Sequence, residues 1–232
     1  MARNLGSGTR TKLRAAVVVA SVAMWAGSGC VDHSGALPAP TVRPVQTRSP
    51  AQWSVSPVPG MEGVGQSPAG WAPPAELERP GRWQGIVVHH SATRSGNAAE
   101  FHRMHQQRVD ASGEHWIGLG YHFVINNGRG GPDGQIEVGF RWRQQMQGAH
   151  CRPRNCADNY WNEHTIGICL VGNFELERPT QAQYEALARL VRFMCDRYSI
   201  PQNRVLGHGQ VHGANTRCPG RFFSWQELRR RL

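Results

Sequence analysis

IVVHHSAT, at residues 86–93, joins three β-branched apolar residues to a pair of histidines. A short apolar run bounded by polar residues predicts a buried strand, and the histidines then stand at its end. Adjacent residues of a strand point to opposite faces, so only one of His89 and His90 can face a given site. Periodicity alone does not choose between them. The stretch therefore predicts a buried strand that ends in one ligand-type side chain.

Strands and helices alternate after this stretch. Strands are predicted at 82–90, 121–126, 135–139, 165–171 and 204–206, with a Gly- and Asp-rich turn at 128–134 that is typical of a hairpin. Helices are predicted at 97–108, 180–198 and 225–232. Thr180 and Gln183 have the spacing of a capping box at the start of the second helix. The pattern predicts an α/β fold, a single domain with a central mixed β-sheet flanked by helices.

A second group of ligand-type residues follows the last predicted strand. His208 comes directly after that strand, and Cys218 lies further along the same loop. Two imidazoles and a thiolate are good zinc ligands, and three protein ligands leave the fourth position of the ion open for water. This donor set predicts a hydrolytic zinc site rather than a structural one. His212 is a rival ligand, but the glycines around it argue against a helical site of the HExxH type.

The remaining histidines of this part of the chain are expected to lie at the surface or to make hydrogen bonds. They are His102, His105, His115, His122, His150 and His164.

The first 30 residues have the organisation of an export signal. Four basic residues and no acidic one precede an apolar run at 15–26. This run is too short to span a bilayer comfortably. Small residues then lead to Cys30, whose position resembles the lipidated cysteine of bacterial lipoproteins. Ordinary signal cleavage nearby is the alternative, and both readings stay open. We expect an exported protein, either periplasmic or anchored to the cell envelope through a lipidated Cys30.

Residues 31–80 predict a disordered tether. Ten of the chain's 15 prolines lie there, among Ser, Gly and Ala and without a sustained period. Such a segment cannot bury enough apolar surface to offset its ordering entropy. The predicted organisation is therefore a signal segment at 1–30, a Pro-rich tether at 31–80 and a folded domain at 81–232.

The charge of the chain restricts its chemistry and its partners. The formal charge is +10, and removal of the four basic residues of the signal segment lowers it to +6. Lys12 is the only lysine, so a processed protein has no residue for Schiff-base or P-loop chemistry. Arginine suits planar anionic groups. An exported protein meets anionic wall polymer more often than nucleic acid, so we expect no nucleic-acid partner.

The cysteines fall into two further groups. Cys151 and Cys156 lie close together in a polar loop, which is compatible with a local disulfide bridge. Cys169 lies in a predicted strand and Cys195 in a predicted helix, where we expect small buried apolar residues.

Five sequence blocks occur in the order of a known family. They are Val88-His89-His90-Ser91-Ala92-Thr93, Gly120-Tyr121-His122-Phe123, IGICLVGNF at 166–174, Gly207-His208 and Thr216-Arg217-Cys218-Pro219-Gly220. Together they resemble the zinc-dependent N-acetylmuramoyl-L-alanine amidases of type 2, which share a fold with peptidoglycan recognition proteins and phage lysozyme-type amidases. The similarity covers roughly residues 82–225.

The resemblance implies a function and a site. Its zinc ligands match His89, His208 and Cys218, and its catalytic tyrosine matches Tyr121. Thr216 stands where active members carry Lys or Thr. The implied cofactor is Zn²⁺, and the implied reaction is hydrolysis of the amide bond between N-acetylmuramic acid and L-alanine in peptidoglycan or muropeptides. The segment from His208 to Cys218 is two residues longer than in the recognition-protein branch and resembles the bacterial branch in which Asp replaces the cysteine.

Two further residues are candidates for substrate binding. Arg217 is suited to hold a stem-peptide carboxylate, and His90 is the second candidate. The alternative function is a non-catalytic peptidoglycan-binding module, although such members typically lose the metal cysteine and this chain keeps Cys218. A purely structural zinc would need a fourth protein ligand, which His90 or His212 could supply. We expect a monomer.

Overall fold

The structure is a computed structural model that describes residues 68–110, 113–152 and 159–232. The predicted signal segment with Cys30, most of the predicted tether, and Cys156 of the suggested disulfide lie outside the described residues. Among the helices of the described part, none combines the length and the apolar character that a membrane crossing requires.

Five strands form one mixed sheet. They are β1 (Gly85–His90), β2 (Phe123–Ile125), β3 (Ile136–Val138), β4 (Thr165–Leu170) and β5 (Val205–Gly207), and their order across the sheet is β3-β2-β4-β1-β5. β1 is parallel to its neighbours β4 and β5, and β2 is parallel to β4. β3 runs antiparallel to β2 and completes the predicted hairpin. The predicted mixed sheet is confirmed.

Six helices surround the sheet in the described part of the chain. They are α1 (Pro68–Trp71), α2 (Ala98–Gln106), α3 (Phe140–Arg143), α4 (Tyr160–His164), α5 (Gln181–Tyr198) and α6 (Trp225–Arg229). Short 3₁₀ turns occur at Ala75–Leu77, Gln202–Arg204 and His208–Gln210. The sequence predicted α2, α5 and the start of α6, whereas it did not predict α1, α3 and α4. Each of these has only four or five residues, too few to show a helical period.

The sheet separates two differently filled faces. On one face, Ile86 and Val88 of β1 pack with β4 and with the apolar stripe of α5 in the largest core cluster. The predicted capping box at Thr180 and Gln183 starts α5. Val87 belongs to a separate cluster on the opposite face, where alternation along the strand also places His89. The fold therefore closes one face with the largest apolar cluster and places His89 on the other face, which carries two smaller apolar clusters.

The folded part begins earlier than the predicted boundary at Gly81. Trp71 of α1 is 1% exposed and belongs to the core cluster on the α5 face. The indole of Trp142 donates a hydrogen bond to the Trp71 carbonyl at 2.7 Å, and the Trp71 ring stacks edge-on against Phe193 at 5.6 Å. Residues 68–80, which we assigned to the tether, therefore contribute to the core of the domain.

Candidate metal centre

The end of β1 places its two histidines in different surroundings. His89 is 1% exposed and lies on the face opposite α5. The ring of His90 points to the other side, where its Nδ1 accepts a hydrogen bond from the backbone N–H of Phe174 at 3.0 Å. The choice that strand periodicity left open is therefore resolved by the loop that follows β4, since this loop occupies His90.

Three ligand-type side chains converge on the His89 face. The metal-binding atoms of His89, His208 and Cys218 all lie within 4.8 Å of one another. The Nδ1 of His89 is 3.8 Å from the Cys218 sulfur. A tetrahedral zinc ion with Zn–N and Zn–S bonds of about 2.1 and 2.3 Å separates its nitrogen and sulfur ligands by about 3.6 Å. The three donors, neither His90 nor His212 among them, therefore fit a zinc ion with three protein ligands.

Two glycines let the loop of His208 fold back toward Cys218. A Cβ at Gly209 would lie 2.5 Å from the carbonyl oxygen of Thr216, and one at Gly207 would lie 2.7 Å from Pro219. The backbone N–H of Gly209 donates to the Cys218 carbonyl at 2.7 Å. The two segments can therefore approach this closely because Gly207 and Gly209, on either side of His208, have no Cβ.

Burial sets the protonation of the two imidazoles. It lowers the pKa of His89 well below its usual value, and the neighbouring His208 lowers it further. Burial also lowers the pKa of His208 to about 4, with a smaller contribution from His90. Both rings are therefore neutral near pH 7, which is the form that binds a metal ion.

Cys218 sits in an environment that a cation would complement. Burial raises the pKa of its thiol to about 12, and a hydrogen bond from the His90 backbone N–H opposes this rise. That N–H lies 3.4 Å from the sulfur. A thiol that binds a metal ion loses its proton to solvent, because the ion compensates the buried negative charge.

Tyr121 lies beside the ligand group. Its ring centre is 5.2 Å from that of His89 and 5.6 Å from that of His105. Burial raises the pKa of Tyr121 well above its usual value, and the nearby Cys169 thiol and a hydrogen bond to it contribute. The hydroxyl therefore stays protonated at neutral pH and can donate a hydrogen bond.

Thr216 and Arg217 are on the exposed side of the Cys218 loop. The Thr216 hydroxyl oxygen accepts a hydrogen bond from the Cys218 backbone N–H at 3.1 Å, which leaves its own proton free to donate. The Arg217 side chain is 84% exposed, and its guanidinium lies 3.8 Å from the Glu175 carboxylate. An exposed contact at that distance contributes little to stability.

Sequence reasoning did not identify His150 as part of this centre. Its Nδ1 lies 3.0 Å from the Nε2 of His89, the ring nitrogen that faces away from Cys218. A single loop histidine carries no spacing signal, so only the fold brings it to His89. The expected hydrogen-bonding role of the other histidines is confirmed for His102 and His105, which accept the backbone N–H groups of Leu119 and Gly120.

The expectation of small buried apolar cysteines is confirmed for Cys169, whereas Cys195 is only partly buried. Cys169 is buried in β4, and Cys195 packs against the main core from α5. The Cys151 thiol is also buried, and its suggested partner lies outside the described residues.

Comparison with known proteins identifies the family of the chain and agrees with this fold. The family profile of N-acetylmuramoyl-L-alanine amidases (Amidase_2) matches residues 79–221. Peptidoglycan-recognition protein SC2 of Drosophila melanogaster is 32% identical over 149 residues, which are 62% of this chain and 71% of that protein. An N-acetylmuramoyl-L-alanine amidase of Sus scrofa is 30% identical over 125 residues, 53% of this chain but 18% of that protein.

A solved structure shows the same similarity. The endolysine N-acetylmuramoyl-L-alanine amidase LysCS from Clostridium intestinale is 28% identical and superimposes with a TM-score of 0.51, covering 69% of this chain and 88% of its own. Residues 79–221, which the family profile matches, contain all five strands and the three candidate ligands His89, His208 and Cys218. The chain belongs to the Amidase_2 family of N-acetylmuramoyl-L-alanine amidases.

Proposed function

We propose that this protein is a zinc-dependent hydrolase of bacterial peptidoglycan. It cleaves the amide bond between N-acetylmuramic acid and the L-alanine of the stem peptide. The observation that carries the proposal is the convergence of His89, His208 and Cys218 donor atoms within 4.8 Å. Membership of the amidase family supports a role in peptidoglycan chemistry.

The ligand residues prepare the site for a cation. The neutral imidazoles of His89 and His208 and the thiolate of Cys218 would hold zinc as three protein ligands. When bound, zinc supplies a Lewis acid that polarises a carbonyl and lowers the pKa of water to about 7. With one thiolate and two neutral imidazoles as ligands, a bound zinc ion would keep a net positive charge, which would favour the carbonyl oxygen of the amide.

Tyr121 and Thr216 act on the substrate carbonyl in this proposal. The protonated hydroxyl of Tyr121 donates a hydrogen bond to the oxygen that becomes negative as the carbonyl carbon turns tetrahedral. The Thr216 hydroxyl, oriented by the Cys218 N–H, donates to the same oxygen. Both groups stabilise charge that develops only in the transition state, and they therefore raise the rate rather than the affinity.

Arg217 and His90 are proposed to contact the rest of the substrate. The exposed guanidinium of Arg217 can form two parallel hydrogen bonds to a stem-peptide carboxylate. His90 has its Nδ1 occupied by the Phe174 N–H, so its neutral ring can only donate, through Nε2.

The proposed setting is the cell envelope. We propose that the protein is exported and either periplasmic or attached to the membrane through a lipidated Cys30, and that it acts as a monomer. Mass spectrometry of the mature protein tests the attachment, since diacylation at Cys30 and simple cleavage differ in mass.

The decisive experiment measures new amino termini of L-alanine after the full chain is incubated with purified peptidoglycan. We expect release that a chelator stops and added zinc restores. Cys218→Ser should lose both bound zinc and release, whereas the matched variant Cys195→Ser, on α5, should keep both. Co-sedimentation with peptidoglycan without release from the zinc-loaded wild type would instead identify a binding module and refute the hydrolase.

A further inference from the structure

We propose that His150 is a positioning residue that fixes the tautomer and the orientation of His89, and that it thereby sets the metal affinity of the centre. This inference rests on the proposed zinc site. It concerns a residue that the donor set itself does not include, because His150 contacts the ligand and not the ion.

The hydrogen bonds around His150 determine which nitrogen carries its proton. The His150 Nε2 lies 3.3 Å from the carbonyl oxygen of Thr165. A carbonyl oxygen can only accept, so the proton of the His150 ring is on Nε2. The lone pair of the ring is then on Nδ1, which can accept a hydrogen bond.

This assignment passes to His89. The His89 Nε2 is 3.0 Å from the unprotonated Nδ1 of His150 and must therefore donate its hydrogen to it. With this hydrogen on Nε2, the lone pair of His89 is on Nδ1, the atom that faces the Cys218 sulfur at 3.8 Å. The Thr165 carbonyl thus determines the proton position of His150, and His150 determines that of His89 and leaves the metal-facing nitrogen unprotonated.

The neighbouring ring of His122 does not compete for this acceptor. His122 lies beside His150, with ring centres 5.7 Å apart. Its Nδ1 accepts the Gly167 N–H at 2.9 Å, so its proton is on Nε2, which donates to the Met146 carbonyl at 3.1 Å. The Nδ1 of His150 is therefore left for His89.

The fold holds the His150 ring in place without help from a metal. A Cβ at Gly148 or at Gly167 would lie 2.3 or 2.4 Å from the Cδ2 of His150, so the two glycines form the slot for the ring. A glycine in the interior of a strand such as β4 usually destabilises the strand. At position 167, however, the glycine makes room for the His150 ring.

The backbone of His150 is fixed as well. The buried side-chain oxygen of Asn162 accepts the N–H groups of His150 and Cys151 at 2.8 and 3.1 Å. Asn162 lies in α4, directly before β4. The imidazole is thus located by α4 and β4, and it can present a fixed acceptor to His89.

A fixed acceptor has a definite consequence for metal binding. Without it, the His89 ring can rotate or place its proton on Nδ1, and both changes remove the lone pair from the ligand position. Partners that orient a metal-binding histidine typically contribute 10- to 100-fold to metal affinity. We expect a loss of that size when the acceptor is removed.

The test compares three substitutions of His150 in the full chain by competition for zinc with a chromophoric chelator. His150→Asn keeps an oxygen acceptor near the position of Nδ1. His150→Gln keeps a donor toward the Thr165 carbonyl but no acceptor for His89, and His150→Leu removes both. We expect His150→Asn to bind zinc nearly as tightly as the wild type, and the Gln and Leu variants to bind about 10- to 100-fold more weakly. The exposed His115→Asn is the control.

The outcomes separate this inference from the proposed function. Wild-type zinc affinity in the Gln or Leu variant overturns the inference. An equal loss of zinc affinity in the Asn, Gln and Leu variants also overturns it, because the hydrogen-bond acceptor would then not be the decisive group. If His150→Leu does not fold, as judged by circular dichroism of the metal-free protein, the Asn and Gln pair decides. A wild-type chain that binds no zinc refutes the proposed zinc site and this inference together.

Discussion

At the scale of single residues, the surroundings of a side chain decide its role more than its position in the sequence. His89 and His90 are neighbours of the same type, and strand alternation predicts only that they differ. The resemblance chose His89, and the structure gives the physical reason: the Phe174 N–H occupies His90, whereas His89 faces His208 and Cys218. His150 could not be predicted, because its contact with His89 joins segments 61 positions apart.

The role of Tyr121 can be tested at the same scale. Tyr121→Phe removes the hydroxyl and keeps the ring that packs against His89 and His105. Zinc content should stay unchanged while turnover falls about 10²- to 10³-fold, as expected for the loss of one oxyanion donor. Release of L-alanine amino termini and metal analysis measure the two effects. Tyr198→Phe, on α5, is the matched control, and unchanged turnover in Tyr121→Phe would remove this hydroxyl from the mechanism.

At the scale of elements, length determines what the sequence reveals. α5 has 18 residues, a regular apolar stripe and a capping box, and its prediction is confirmed. β1 and β4 were found because each is a six-residue strand with a buried apolar centre. α1 was missed because the composition of residues 31–80 is dominated by Pro, Ser, Gly and Ala. The average composition of such a segment does not reveal that a single residue, Trp71, is buried in the core.

The contribution of α1 follows from that tryptophan. Trp71→Ala removes a fully buried ring that contacts Phe193, and it should lower the free energy of unfolding by about 3–5 kcal/mol. Urea denaturation of the full chain measures this change. Leu77→Ala, six positions away in the same segment and 39% exposed, should change the stability by less than about 0.5 kcal/mol. An effect of Trp71→Ala as small as that expected for Leu77→Ala would show that Trp71 does not contribute to the core.

At the scale of the whole molecule, one face of the sheet concentrates buried imidazoles. His89, His122 and His150 are all held neutral chiefly by burial, which lowers the pKa of each ring. Burial also lowers the pKa of His105 to about 4, with a further contribution from Arg108. The metal-free protein therefore keeps several uncharged bases in its interior that would take up protons on unfolding.

This arrangement predicts acid sensitivity of the metal-free protein. The folded pKa values lie below the unfolded value of about 6.5, so the stabilisation is complete above that pH and is lost as the pH falls toward the folded values. Between pH 7 and 5, the free energy of unfolding should decrease by up to about 1.4 kcal/mol per pH unit for each such histidine. Urea denaturation with a chelator present measures it.

A substitution of His105 separates its share of this effect. In His105→Asn, the side-chain oxygen can accept the Gly120 N–H in place of Nδ1, while the titrating group is lost. Its stability should therefore depend less steeply on pH than that of the wild type. A wild-type stability that stays constant from pH 7 to 5 contradicts the argument.

The packing of Trp71 also determines the face of the sheet on which α1 lies. Trp71 sits behind the sheet, with α5, whereas the three ligands open on the front. The segment Pro68–Trp71, where the described residues begin, thus lies on the opposite side of the sheet from the three ligands. A large polymer can therefore approach the three ligands without contact with α1.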